Sequence, residues 1–246
     1  MKSKIVPFAV ALLAVWVLVI IPFKIIGQGF LPPDDAMRHC AKAVSGKEWS
    51  DILVLRDGLK TIDHTGWAAI LSSLHRVTGW DAHSLVLFSV LSLFIVFSII
   101  PFLFLRYPEA WLVSLIIIGM VATGWFFRLV LGRPFILAMS IFIVWCFVWP
   151  GLKERKSVFK TSLLLMILAA LFTWIYSQWY LLALPLLALL CAREWRAALA
   201  MSISMVAGIS LGAVLTGHPV WAIIEPVKGL IMFSHNGQSE FNYMLP

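Results

Sequence analysis

The sequence predicts an all-α fold: a polytopic membrane helical bundle of about seven transmembrane helices, with amphipathic interfacial helices in the first outer loop. Three observations predict it. Of the 246 residues, 61% are hydrophobic and only 13% are charged, against about 25% charged in a soluble domain. The apolar excess falls in runs of helix length. Inside hydrocarbon the backbone must satisfy its own hydrogen bonds, which a helix does with about 20 residues. A β-barrel would instead show alternating segments of about 10 residues.

The spans are expected at about 5–26, 84–105, 110–126, 135–150, 161–177, 179–192 and 197–216. They form one membrane domain over 1–246, with an outer loop over 27–83 and an outer tail over 217–246. Met1-Lys2-Ser3-Lys4 before an apolar run resembles a signal peptide. That run is long and lacks an A-x-A cleavage pattern before Gly27, so a retained first span is expected.

Lys and Arg near span ends set the orientation. With the N-terminus in the cytoplasm, the inner pieces carry nine bases: Lys2, Lys4, Arg106, Lys153, Arg155, Lys156, Lys160, Arg193 and Arg196. They carry three acids, Glu109, Glu154 and Glu194. The expected topology is N-in and C-out, and it accounts for most of the net charge of +7 without a nucleic-acid partner. All six histidines and nine of the twelve acids then fall on the outer side, where a site is to be sought. Of the three cysteines, only Cys40 is expected to meet water there; no CxxC or metal-ligand spacing exists.

The outer loop, 27–83, is too long for a bare connection. From Asp35, apolar residues recur at Ala36, Met37, Cys40, Ala41 and Val44, with Arg38, His39 and Lys42 between them. That pattern predicts an amphipathic helix of about three turns stopped at Gly46 and lying in the interface plane. Ser50 begins a second short helix ended by Gly58.

Four groups of residues are candidates for chemistry. Pro32-Pro33-Asp34-Asp35 places two carboxylates just beyond the first span. Such a pair raises one another's pKa and suits a divalent ion such as Mg or Mn; equally, Asp34 caps the helix and Asp35 favours its dipole. Asp35 and His39, four apart, share a helix face. Asp63-His64 is either a phosphate contact or a surface turn. Arg128 and Arg133 lie at outer span ends, where a guanidinium fork meets a substrate phosphate or a lipid headgroup. The tail offers Lys228 among His218, Glu225 and His235, with a solvated loop as the plain alternative. No Walker A, GxGxxG, HExxH or GxSxG pattern occurs.

The order of these features resembles the type C glycosyltransferases (GT-C), membrane enzymes that use polyprenyl-phosphate-linked sugars. Asp34-Asp35-Ala36-Met37-Arg38-His39 resembles their first-loop acidic motif, the helix behind it their interfacial jaw helix, and Asp63-His64-Thr65-Gly66 their His-Pro turn, with Thr65 where proline is common. Seven spans are similar to the module these enzymes share. The resemblance implies inverting transfer of a sugar from a polyprenyl-phosphate donor to an acceptor, on the extracytoplasmic side of a bacterial inner membrane. It implies Asp34 and Asp35 as base or metal ligands, with His39, His64, Arg128, Arg133 and Lys228 toward substrate. Family enzymes are longer, which implies a fragment, a reduced member, or a partner chain supplying a C-terminal half. Two other classes stay open: a transporter or flippase of a lipid-linked glycan, which would need ionisable groups near the midplane, and a non-catalytic subunit.

Overall fold

A computed structural model describes residues 35–47, 51, 64–100, 108–121, 131–154 and 157–235, together with Ala9, Val10, Leu12, Leu13, Trp16, Val19 and Phe23. Among the described residues there are helices and turns and no strand. The helices are α1 (Asp35–Ser45), α2 (Thr65–Thr78), α3 (Ala82–Ile99), α4 (Pro108–Val121), α5 (Phe135–Val148), α6 (Val158–Ile175), α7 (Ala183–Cys191), α8 (Trp195–Leu215) and α9 (Pro219–His235). One 3-10 turn, Trp149–Lys153, extends α5, and another, Trp179–Leu182, leads into α7.

Four helices are long and apolar enough to cross a membrane: Ala82–Ile99, Phe135–Lys153, Val158–Ile175 and Trp195–Leu215. They coincide with the spans expected at 84–105, 135–150, 161–177 and 197–216. The other three expected spans have no such helix among the described residues. The described positions between Ala9 and Phe23 are helical, and α4 has 14 residues. The span expected over 179–192 is a shorter apolar helix, Trp179–Cys191. The tail, expected as a polar loop, starts with the 17-residue helix α9. Glu225 and Lys228 are expected in that loop. In the structure they sit within the helix, where the Trp179 indole N–H donates to the Ile223 carbonyl at 3.3 Å, one residue beyond the carbonyl that Pro226 leaves without its helical donor. The second loop helix, expected after Ser50, lies outside the described residues apart from Asp51.

The contacts divide into two units, Met1–Thr61 with Trp67–Phe147, and Ile62–Gly66 with Val148–Pro246. In the first, α3 is the central element. Its buried stripe, Leu85, Val86, Ser89, Val90, Leu93, Phe94, Phe97 and Ser98, repeats at helical spacing, while Ile95 and Ile99 on the other side are exposed. Asp81 caps it, its Oδ1 accepting from the Ser84 N–H at 2.9 Å; the Ser84 side chain and then this backbone N–H hold the Asp81 carboxyl below its ordinary pKa. Helix α1 packs on α3, with Trp67 and Leu71 of α2, Leu115 of α4 and Ile136 of α5 completing the cluster. The Trp111 indole donates to the Ser98 carbonyl at 2.9 Å.

In the second unit α6 and α8 pack along most of their length. A Cβ on Gly208 would meet the Met166 carbonyl and, at 2.6 Å, the Ala169 Cβ; one on Gly212 would lie 2.5 Å from the Ala170 carbonyl and 2.8 Å from the Thr173 Cβ. Four residues along α8 thus match about four along α6 in the same direction, so the two helices run parallel. Their N-terminal ends meet where Lys153 pairs with Glu194 at 3.0 Å. The chain must therefore return between Ile175 and Trp195. Trp179–Cys191 makes that return: four residues at ~2.0 Å and nine at ~1.5 Å span about 21 Å, with turns at both ends adding reach.

Gly208→Val should lower the midpoint of thermal unfolding in detergent by several degrees, because overpacking at a backbone contact costs about 1–3 kcal/mol. Gly229→Ala, where a Cβ meets nothing within 4 Å, should be neutral or slightly stabilising. Equal behaviour of the two variants would refute the close α6–α8 contact.

Candidate functional site

The first-loop helix forms as its periodicity predicts, from Asp35 to Ser45. Gly46 ends it with φ +65, its N–H donating to the Lys42 carbonyl at 2.9 Å. The face it buries differs from the one predicted. Ala36, His39, Cys40 and Ala43 are buried, while Val44 is exposed. His39 therefore lies on the packed side and not on the polar side. Small residues allow α1 to approach α3 closely, and in a membrane protein it is small residues, not the most apolar ones, that mark protein-facing positions. Cys40, expected to meet water, is wholly buried, and desolvation pushes its thiol up to about 12.

The turn before α5 completes this corner. Gly132 has φ +61, and a Cβ there would lie 2.8 Å from the Ala36 Cβ and 3.0 Å from the Ser89 Oγ. Pro134 then starts α5 in the manner of a first-turn proline, with the Ala138 N–H donating to its carbonyl at 3.1 Å. Thus the neighbour of Asp35 in the chain touches the neighbour of Arg133. This contact lies at Ser89, about 10 Å along α3 from Ala82 at ~1.5 Å per residue. Arg133 itself is half-buried. The Asp35 backbone begins α1; its side chain, Asp34 and Arg128 lie outside the described residues. Ser89 has no hydrogen-bond partner for its buried hydroxyl among the described residues.

His64 belongs to the second unit. Its ring stacks on Tyr176 with centroids 5.3 Å apart and planes at 22°. A Cβ on Gly66 would come within 2.7 Å of the Trp174 carbonyl, so the segment lies tightly across the C-terminal end of α6. That end is opposite the Lys153–Glu194 pair. Lys228 is exposed on α9 and pairs with Glu225 at 2.9 Å.

Among the described residues no group of three or more His, Cys, Asp or Glu gathers to hold a metal ion. A divalent ion on Asp34 and Asp35 would draw its remaining donors from elsewhere. Two contributors escaped the sequence reading. Gly132, before Arg-Pro, carries a turn signal that was available. Ser89 carries none, since a serine in an apolar run looks the same on either face. No protein-family model, curated protein or solved structure matches the chain.

Gly132→Ala should destabilise the protein, because it combines a strained φ with a contact that neither Ala36 nor α3 can easily yield; a thermal melt unchanged from wild type would refute this corner. Cys40 should resist iodoacetamide at pH 8.5 in the folded protein while the exposed Cys191 reacts, as read by mass spectrometry. A folded thiol pKa raised above 9.0 contributes stability in full below pH 9, and that contribution is lost as the pH rises toward 12.

Proposed function

We propose that this chain is a GT-C-like membrane glycosyltransferase module, transferring a sugar from a polyprenyl-phosphate donor to an acceptor hydroxyl with inversion. The observation that carries the reading is the meeting of the first-loop helix, whose backbone begins at Asp35, with the Gly132–Arg133 turn beside α3. An acid for the acceptor and a cation for the leaving phosphate are what such a transfer needs at one place. The Ala36–Gly132 contact, about 10 Å along α3 from its start, is a place that a headgroup carried on a lipid would reach.

In the proposed step the acceptor oxygen attacks the anomeric carbon from the side opposite the phosphate. The new carbon–oxygen bond forms as the bond to phosphate oxygen breaks, and the electron pair leaves with the polyprenyl phosphate. The acceptor proton passes to Asp35 or Asp34. A carboxylate with a pKa near 4 is a weak base for a free hydroxyl, so proton transfer is late, when the oxygen is already bonding to carbon. Arg133 meets the charge that develops on the leaving phosphate. No step is routed through a metal, and His39, His64, Arg128 and Lys228 are not required.

The proposed topology puts the Lys153–Glu194 end of the second unit in the cytoplasm, by the bias of Lys and Arg toward that side. The parallel α6 and α8 then require Trp179–Cys191 to recross the membrane as a shortened span, and His64 falls on the extracytoplasmic side. The transporter alternative expects charge near the midplane. In the four long helices His83, Lys153, Lys160 and Arg196 all lie within three residues of an end.

With protein in nanodiscs and a polyprenyl-phosphate sugar as donor, Asp34→Asn or Asp35→Asn should reduce release of polyprenyl phosphate by two orders of magnitude or more. Arg133→Gln should cost about 10²–10³ in turnover, and Arg133→Lys less. Full activity in both Asn variants removes the catalytic assignment. Glycan translocation without sugar release would favour the flippase.

A further inference from the structure

The parallel arrangement of α6 and α8 brings together two basic segments some forty residues apart in sequence. Lys153 and Glu154 precede α6, Lys160 lies in its first turns, Arg193 and Glu194 precede α8, and Arg196 lies in its first turn. The Lys153–Glu194 pair at 3.0 Å joins them. That pair consumes one base and one acid. Lys160, Arg193 and Arg196 are exposed, and among the described residues none has a carboxylate within ion-pair distance. Arg155 and Lys156 add two further bases in sequence.

This concentration of positive charge is unfavourable in isolation. Acids belong at helix N-termini and bases at C-termini; Glu194 at the N-cap of α8 is taken up by Lys153, and neither α6 nor α8 has an acid in its first turn. Arg193 makes the case sharper. It occupies φ +57 after the C-terminus of α7, where the Glu194 N–H donates to the Leu189 carbonyl and the Arg193 N–H to the Leu190 carbonyl, each at 3.0 Å. Glycine is the usual residue at such a position because a Cβ there is strained. A cation is present instead. Among the bases Phe159 and Trp195 are exposed at 79% and 65%, and one turn further along α8 Leu199 is exposed at 64%. Exposed aromatic side chains interleaved with cations match the boundary between acyl chains and headgroups.

We infer that this end of the second unit is a binding surface for anionic phospholipid headgroups, with Lys160, Arg193 and Arg196 meeting the phosphates while Phe159 and Trp195 enter the acyl boundary. The occupant is the bilayer's own anionic lipid. Its charge complements the patch, and the apolar rim has no use for a soluble anion.

The test compares the full chain in nanodiscs of POPC with nanodiscs of POPC and POPG at 70:30. The thermal midpoint should rise by several degrees in the POPG discs, and the gain should shrink as salt is raised. In titrations with short-chain phosphatidylglycerol in neutral detergent, each base changed to Gln should weaken binding about fivefold. The triple variant K160Q/R193Q/R196Q should lose the POPG gain, whereas R76Q, at an exposed arginine of the first unit, should keep it. Should the triple variant fail to fold, Arg193→Gly decides: relief of the backbone strain should raise the midpoint in POPC while the POPG gain falls. An undiminished gain in the triple variant or in Arg193→Gly would overturn the inference. So would inorganic phosphate reproducing the gain in POPC discs, since that would assign the patch to a soluble anion.

Discussion

Lipid surrounds a membrane helix with material as apolar as its own side chains, so apolarity alone does not pull one helix onto another. Close approach must do that, and small residues permit it. Two such contacts organise this protein. In one unit, Gly208 and Gly212 let α8 lie against the backbone of α6 between Met166 and Thr173. In the other, Ala36, Ser89 and Gly132 meet where α1, α3 and the turn before α5 converge. Neither place would accept a larger side chain without moving backbone.

Each contact has a consequence for function. The parallel pairing of α6 and α8 separates the ends of the second unit chemically: lysines and arginines at one, His64 stacked on Tyr176 at the other. The corner at Gly132 holds the start of the acidic first-loop helix next to a half-buried arginine, beside a span rather than above it.

Much of the fold was legible because the bilayer demands it. Long apolar runs forecast the four spanning helices within a few residues. Gly46 forecast the end of α1 correctly, since a positive φ suits glycine. What failed is equally physical. Val44 reads as a core residue and is exposed; His39 reads as surface and is buried. Hydrophobic periodicity separates core from solvent in a water-soluble protein, but it does not separate protein from lipid. The tail around Glu225 and Lys228 reads as loop, yet α9 runs through it.

The sequence by itself determined that the chain is helical, embedded in a membrane, and asymmetric in its charges. Those properties follow from composition and from the position of each charge relative to an apolar run. Tertiary structure alone decided that α6 and α8 are parallel, that Lys153 finds Glu194, and that Ala36 touches Gly132. Contacts of this kind join residues some forty to a hundred positions apart through glycine, alanine and serine. Such side chains leave almost no mark on hydropathy or charge, and their meaning comes from what lies against them.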